Sequence, residues 1–225
     1  MKELPPFYIA AQQQTKGRGR LGRQWHSPKG NIYFTACFSA KEIPLSRLPL
    51  FTLFAALKVC DALNRRYKKE KLWLKWPNDL WWGKRKVAGL LAEAPLDKKH
   101  GRVLLLGLGL NCDKMPLPAD IRKSAGSLEA AFGRVVQKNE ITELLCDEVG
   151  SAFEAFRTQK FEESLYELWL RYGKLMGRQI RYEESGLVKK GTVVGLGADG
   201  ELCVKDKNKI TTLRSGEVTL SKFLR

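Results

Sequence analysis

The sequence predicts an α+β protein in which a mixed-sheet domain is followed by a small β-barrel. Hydrophobic residues make up 44% of the 225 positions, which is enough for a sizeable core. Up to about residue 173, apolar runs with helical spacing occur among runs rich in β-branched and aromatic residues. From Lys174 onward only short strands and turn dipeptides are predicted, a pattern typical of a small barrel. We therefore expect domains at 1–173 and 174–225.

The first half of the chain predicts three strands and one helix. Phe7–Ala11 is a short apolar run, and Asn31–Phe38 is rich in β-branched and aromatic residues, so both are predicted strands. Ser46 is expected to cap a helix with a broad apolar face. Leu72–Leu74 is the next predicted strand and stops at Trp76–Pro77.

The following segments predict a hairpin, a central strand and two helices. Trp81–Arg85 is predicted to be a turn, and Lys86–Glu93 to be the returning arm of a hairpin. Val103–Leu110 is continuously apolar and is predicted to lie inside the sheet. Asn139 is expected to cap a helix, and a second helix is predicted over Phe161–Tyr172. In the C-terminal region, short strands are expected around residues 192–194, 202–204 and 210–213.

Charge and cysteine content narrow the function classes. The formal net charge of +16 favours polyanions, nucleotides or acidic proteins as partners without choosing among them. Five scattered cysteines without a C-x-x-C pair argue against a zinc site or a disulfide framework, so a reduced, cytoplasmic protein is expected. The first six residues do not resemble a signal peptide, and no apolar stretch is long enough to span a bilayer.

A glycine- and arginine-rich segment is the first candidate site. Gly17–Arg23 contains three glycines and three arginines in seven residues. Glycine lets a backbone approach a ligand closely, and arginine offers a bidentate fork to phosphate. An RNA-binding loop or a purely structural loop remains possible. However, its single occurrence between two predicted strands favours an ordered ligand loop, and no G-K-[ST] follows as in a P-loop.

A lysine-rich turn is the second candidate site. Lys75–Asp79 reads Lys-Trp-Pro-Asn-Asp, and the predicted hairpin would return Lys86 to its neighbourhood. A plain turn would account for the proline, asparagine and aspartate, but two lysines beside one carboxylate are more charge than a turn needs. Asn111 follows the predicted central strand and is expected to be a polar ligand of the same site. Gly107–Leu110 is a poor match to a dinucleotide fingerprint because the third glycine is missing.

Taken in order, these motifs resemble the biotin protein ligases, in the short form that has no DNA-binding domain. The resemblance extends from about Ala11 to the C-terminus. Its most specific parts are the Gly/Arg segment, the Lys-Trp-Pro-Asn-Asp block and Lys86–Glu93. The resemblance implies a catalytic domain of the biotin/lipoate ligase type and a C-terminal SH3-like barrel. It also implies that biotin and MgATP form biotinyl-5′-AMP, and that a lysine of a biotin carboxyl-carrier protein, such as the acetyl-CoA carboxylase subunit, then displaces AMP.

The resemblance also implies roles for individual residues. The catalytic charges would be Lys86, which bridges the biotin carboxylate and the α-phosphate, and Arg20. The residues implied in biotin binding are Gln14, Gly17, Arg18 and Lys86. Those implied in nucleotide binding are Arg18, Gly19, Arg20, Trp25, Asn78 and Asn111. Asp79 would serve Mg²⁺.

Two features of the family's pattern are absent from this sequence. Family members carry a Ser-Thr-Asn motif before the first strand, whereas residues 1–11 contain no serine, threonine or asparagine. The match therefore covers the phosphate half of the site better than the biotin half, which leaves a truncated chain, a different biotin contact or an inactive homologue open. A helix-turn-helix segment is also missing, so transcriptional repression is not expected.

Other functions remain open from the sequence. A lipoate or octanoate ligase or transferase of the same fold is the alternative within enzymes. A nucleic-acid-binding protein that uses the basic surface is the alternative from another class. A homodimer is considered because Val103–Leu110 is apolar and family members often dimerise, and no membrane association is expected.

Overall fold

The computed structural model describes residues 6–41, 43–114, 118–184, 186–207, 209–214 and 218–220. The expectation about a signal peptide concerns mainly residues 1–5, which lie outside these ranges, as do the last residues of the predicted barrel, 221–225. Among the helices within these ranges, none is both long and apolar enough to cross a membrane.

The larger of two sheets has seven strands. They are β1 (Phe7–Ala11), β2 (Ile32–Ser39), β3 (Leu72–Lys75), β4 (Asp79–Trp82), β5 (Arg85–Glu93), β6 (Leu96–Asp97) and β7 (Gly101–Leu110). Their order is β1-β2-β7-β5-β4-β3, and β6 pairs with β7. All these pairings are antiparallel, so the expectation of a mixed sheet was wrong. Short turns between β3, β4 and β5 reverse the chain each time, and such turns join antiparallel strands.

The centre of this sheet agrees with the sequence prediction. β7 pairs with β2 along one edge and with β5 along the other, which confirms that Val103–Leu110 is an interior strand. The predicted turn over Trp81–Arg85 was too long. β4 continues to Trp82, which pairs with Arg85 at the start of β5, so only Gly83 and Lys84 connect the two strands.

Among the described residues up to 173, five α-helices accompany this sheet. They are α1 (Leu48–Tyr67), α2 (Ala119–Arg122), α3 (Leu128–Phe132), α4 (Lys138–Arg157) and α5 (Glu162–Tyr172). α1, α4 and α5 pack against one another and against the sheet through aromatic side chains. The rings of Phe38 in β2 and Phe153 in α4 stack with centroids 4.0 Å apart, and Phe54 in α1 lies 5.5 Å from Phe161. Aromatic contacts of this kind contribute more than their buried area alone.

Both predicted helix caps were wrong. Ser46 lies inside a single 3-10 turn, Leu45–Arg47, and Arg47 occupies the N-cap position of α1. Asn139 lies in the first turn of α4, after the N-cap residue Gln137. In each case the chain enters the helix without a side-chain cap, and the first helical turn begins at a different residue from the one that the cap preference selects.

A second sheet follows α5. Its strands are β8 (Gln179–Glu184), β9 (Leu187–Leu196), β10 (Leu202–Asp206), β11 (Lys209–Leu213) and β12 (Val218–Leu220). They pair antiparallel in the order β11-β10-β9-β8-β12, which confirms the short strands predicted around residues 192–194, 202–204 and 210–213. Buried residues such as Ile180 and Val193 belong to the same hydrophobic core as α1 and the first sheet.

Asn64 in α1 provides a test of this packing. Its buried amide donates to the Leu72 carbonyl and accepts from the backbone N–H groups of Lys71 and Leu72, each at 3.0 Å. Asn64→Ala should lower the free energy of unfolding by about 2–3 kcal/mol, because buried polar groups of β3 lose their partners. The matched control is Asn139→Ala, which should change it by less than about 0.5 kcal/mol because Asn139 is exposed and does not cap α4. Urea unfolding of both variants measures the difference, and equal losses would contradict this assignment.

Candidate functional site

A cleft of about 640 Å³ lies between the segment that follows β1 and one face of the first sheet. It is the place where the two motifs singled out in the sequence meet. Nine of the ten candidate residues line it, and only Gly17 does not. The nine are Gln14, Arg18, Gly19, Arg20, Trp25, Asn78, Asp79, Lys86 and Asn111. A ligand in this cleft would therefore face guanidinium, ammonium, amide and carboxylate groups.

The Gly/Arg segment is an ordered hairpin-like loop. The Trp25 N–H donates to the Gly17 carbonyl at 2.9 Å, and the Gly19 N–H donates to the Arg23 carbonyl at 2.7 Å. At its tip, Leu21 is largely exposed and adopts a left-handed conformation with φ of 55°. This internal bonding supports the interpretation as a folded ligand loop and differs from the disorder expected of an RNA-binding tail.

Gly17 and Gln14 form the base of this loop. A Cβ atom at Gly17 would overlap with Ser27 Oγ and with the Trp25 carbonyl, so a larger residue has no room. Ser27 Oγ in turn lies 2.9 Å from Gln14 Oε1 and can donate its proton to it. The close packing around Gly17 therefore holds the base of the loop together, and the Ser27 hydrogen bond fixes Gln14, which lines the cleft.

Two arginines of the loop are held by acceptors on the sheet. Arg20 Nη1 donates to Asn78 Oδ1 at 2.8 Å, and Arg18 Nη2 lies 3.1 Å from Glu93 Oε2. The Arg18 side chain is 72% exposed, so water screens its ion pair strongly. A carboxylate or phosphate entering the cleft would compete with these protein acceptors for the same donors.

Lys86 and Asp79 form the charged centre. Lys86 Nζ lies 2.8 Å from Asp79 Oδ1, and both side chains are partly buried, which confirms that the hairpin brings them together. Asp79 pairs with Gly89 across β4 and β5, and a register shift then pairs Trp81 with Lys86. Because side chains alternate between the faces of a strand, this bulge turns Lys86 toward the face that carries Asp79. Lys75 of β3 is the backbone partner of Asp79 of β4, but the Lys75 ammonium lies over the Trp81 ring.

Glycines form the floor of the cleft beneath Trp25. Gly89 and Gly109 are direct partners in β5 and β7. A Cβ atom at Gly109 would overlap with the Trp25 indole, and one at Gly89 would lie 3.0 Å from it. Lys86 Nζ lies 5.1 Å from the centre of the same ring, within the range of a cation–π contact. Trp25 is thus packed against the sheet beside the charged centre, and its contact with a ligand stays a prediction.

The two asparagines line the cleft and also brace its walls. Asn78 is buried and donates from Nδ2 to the Leu90 carbonyl at 2.6 Å. Asn111 Nδ2 donates to the Gly126 carbonyl at 3.0 Å. The Lys86 backbone is bonded to the same segment as Asn111, because the Lys86 N–H donates to the Ser124 carbonyl at 2.7 Å. The Asn78 amide therefore ties the turn before β4 to β5, and the Asn111 amide ties the end of β7 to the segment between α2 and α3.

Sequence reasoning missed Ser27, Gly89 and Glu93 as parts of the site. Gly89 could have been suspected as a glycine inside a predicted strand, because such glycines mark close approach of another group. Nothing local in the sequence distinguishes Glu93 from other acidic residues at strand ends. Its importance comes from the fold, which brings it to Arg18 across 75 positions.

Within the described parts of the chain, no three His, Cys, Asp or Glu side chains cluster as a metal site would require. Asp79 and Glu93 are the carboxylates that line the cleft, and each faces a cation. Mg²⁺ binds through one or two carboxylates together with substrate phosphates, so Asp79, which lies beside Lys86, fits an ion that arrives with a nucleotide. It does not fit a metal ion held by the protein alone.

Comparison with known proteins agrees with this geometry. Residues 3–111 match the model of the biotin/lipoate A/B protein ligase family. The bifunctional ligase/repressor BirA of Bacillus subtilis is 28% identical over 94% of this chain, which spans 65% of the length of that relative. A biotin–[acetyl-CoA-carboxylase] ligase of Paracoccus denitrificans is 27% identical over 88% of this chain and 83% of its own length.

Solved structures extend the match to the fold. The biotin protein ligase of Aquifex aeolicus, solved with biotin and ATP, superposes with a TM-score of 0.82 at 29% identity, and the alignment covers 96% of this chain and 88% of that one. The superposition therefore extends over nearly the whole chain and includes residues of both sheets. In sequence and in fold, this chain is therefore similar to proteins of the biotin/lipoate A/B protein ligase family.

Proposed function

We propose that this protein is an ATP-dependent ligase that activates biotin as biotinyl-5′-AMP and transfers the biotinyl group to a lysine of a carrier protein. The observation that carries this proposal is the meeting of the Gly/Arg loop with the Lys86–Asp79 pair over a glycine floor. The similarity to the Aquifex aeolicus ligase, solved with biotin and ATP, supports the choice of substrates.

In the first step, a biotin carboxylate oxygen attacks the α-phosphorus of ATP and pyrophosphate leaves. Both reactants are anionic, so the site must supply positive charge where they meet. Lys86 Nζ, now 2.8 Å from Asp79, is the ammonium best placed to contact both the carboxylate and the α-phosphate. Arg18 and Arg20 would supply forked donors from above, since their present acceptors are protein oxygens that phosphate can replace.

In the second step, the amine of the acceptor lysine attacks the acyl carbon of the mixed anhydride and AMP leaves. No covalent link to the enzyme is needed, so the protein acts by positioning and charge stabilisation. Trp25 and the adjoining Gly89 and Gly109 would shield the adenylate from water. Gln14 and the Gly17 loop base would lie toward the biotin end, and Asn111 toward the nucleotide.

Mg²⁺ would enter with ATP. Asp79 is the carboxylate next to Lys86 and would contact the ion or its water shell while phosphate oxygens provide the other ligands. When bound, the ion neutralises phosphate charge and so favours departure of pyrophosphate.

The acceptor would be a biotin carboxyl-carrier protein such as that of acetyl-CoA carboxylase. The net charge of +16 supports an acidic partner, because complementary charge accelerates encounter. The named activity of the Paracoccus denitrificans relative supports the same acceptor class.

Several features of organisation belong to the same proposal. The five-stranded second sheet would close into an SH3-like barrel, with a domain boundary between residues 173 and 174, just after α5.

A cytoplasmic location is supported by five free thiols, of which Cys37, Cys60 and Cys112 are buried. A homodimer draws no support from β7, which is interior. It would use the edge strand β1, whose Phe7 and Ile9 are exposed.

The charge assigned to Lys86 can be tested by removing it. Lys86→Ala should lower the rate of pyrophosphate release with biotin and MgATP by about 100- to 1,000-fold, because one preorganised charge is lost at the reacting phosphorus. Pyrophosphate release is measured with a coupled enzyme assay. The control is Lys84→Ala, which removes the same charge from the exposed turn between β4 and β5 and should retain the parental rate. Equal rates for both variants would remove Lys86 from the mechanism.

The role of Arg20 can be tested through retention of the intermediate. Arg20→Ala should release biotinyl-5′-AMP at least about tenfold faster, since hydrogen bonds to charged groups contribute about 1.5–3 kcal/mol. Mass spectrometry of the protein-bound fraction after rapid gel filtration follows the adenylate with time. Leu21→Ala, a truncation of the exposed neighbour at the loop tip, should retain the adenylate as long as the parent does. If both variants match the parent, the guanidinium of Arg20 does not hold the adenylate.

A further inference from the structure

Trp76 connects the candidate active site to the second sheet. Its indole is buried, and Nε1 donates to the carbonyl of Gly200 at 2.9 Å across 124 positions of the chain. Trp76 follows β3 directly, and Gly200 lies in the turn between β9 and β10. This hydrogen bond therefore joins the segment that precedes β4 to the C-terminal sheet.

The acceptor of this bond is fixed in place. Gly200 is buried and adopts a left-handed conformation with φ of 78°, and a Cβ atom there would lie 3.0 Å from Leu50 and 3.1 Å from Leu53 of α1. Within the turn, the Gly200 N–H donates to Gly197 at 3.0 Å, and the Gly197 N–H donates to Glu201 at 2.8 Å. The left-handed φ favours glycine here, and a Cβ atom would also crowd two leucine methyl groups of α1. The turn and α1 together therefore fix the position of the Gly200 carbonyl.

The donor is followed within three residues by two side chains of the site. Asn78 accepts from Arg20, and Asp79 pairs with Lys86. The Leu90 N–H donates to the Asn78 carbonyl at 3.0 Å, so the position of this segment is also transmitted to β5. A shift of Trp76 would move the groups that face the phosphates, and displacements of about 1 Å in a positioned site can cost on the order of 100-fold in rate.

We infer that Trp76 is a positioning residue, and that its bond to Gly200 makes the C-terminal sheet a fixed support of the phosphate side of the cleft. The inference rests on the proposed function for its kinetic consequence. Val218 of β12 also lines the cleft, so the same sheet contributes a wall as well as the support.

Trp76→Phe tests this inference because it keeps an aromatic ring and removes the N–H donor. With biotin saturating, kcat/KM for MgATP in pyrophosphate release should fall at least about tenfold, whereas KM for biotin should stay within about twofold of the parental value. Gly200→Ala should give the same pattern, since it displaces the acceptor. The matched control is Trp169→Phe, which replaces a buried indole of α5 whose Nε1 has no hydrogen-bond partner among the described residues. Its kinetics should match the parent.

Amide hydrogen exchange is measured on the same proteins without substrates. Trp76→Phe should exchange faster than Trp169→Phe in peptides that cover residues 76–80, 86–91 and 197–201. Unchanged exchange would overturn the inference whether or not the parent is an active ligase. If the parent is active and Trp76→Phe has the same kinetics, the inference is overturned too. A parent that forms no adenylate would contradict the proposed function, and hydrogen exchange alone would then decide the positioning role.

Discussion

The candidate site depends on a β-bulge between β4 and β5. Without the register shift after Leu80, strict alternation would direct Lys86 to the face opposite Asp79 and Gly89. With it, the ammonium lies 2.8 Å from the carboxylate and above the glycine floor that Trp25 covers. One extra residue in a strand thus converts a hairpin of the sheet into the charged wall of a cleft.

The other parts of the cleft are arranged around this wall. The Gly/Arg loop folds over this wall and is held there by the hydrogen bond from Arg20 to Asn78. The Lys86 backbone is held by the hydrogen bond from its N–H to the Ser124 carbonyl. The C-terminal sheet reaches the same region through Gly200. Three distant segments therefore hold a small set of charges in position, as catalysis by electrostatic preorganisation requires.

The sequence predicted those features that depend on local chemistry. Val103–Leu110 was predicted as an interior strand because it is apolar throughout. The Gly/Arg and Lys-Trp-Pro-Asn-Asp motifs were predicted as ligand sites from their residue types, and the fold brings both to one cleft. Ser46 and Asn139 were wrong as caps because tertiary packing sets where α1 and α4 begin. The bulge, the Arg18–Glu93 pair and the Trp76–Gly200 bond depend on contacts between distant segments, which no local pattern encodes.

The central claim is that this cleft activates biotin with ATP. The most direct test is mass spectrometry of the protein incubated with MgATP and an equimolar mixture of biotin, lipoate and octanoate. We expect biotinyl-5′-AMP to form and pyrophosphate to be released in equal amount. Formation of lipoyl- or octanoyl-AMP in its place would reassign the acid that the cleft activates. The absence of any adenylate from the folded protein would contradict the account.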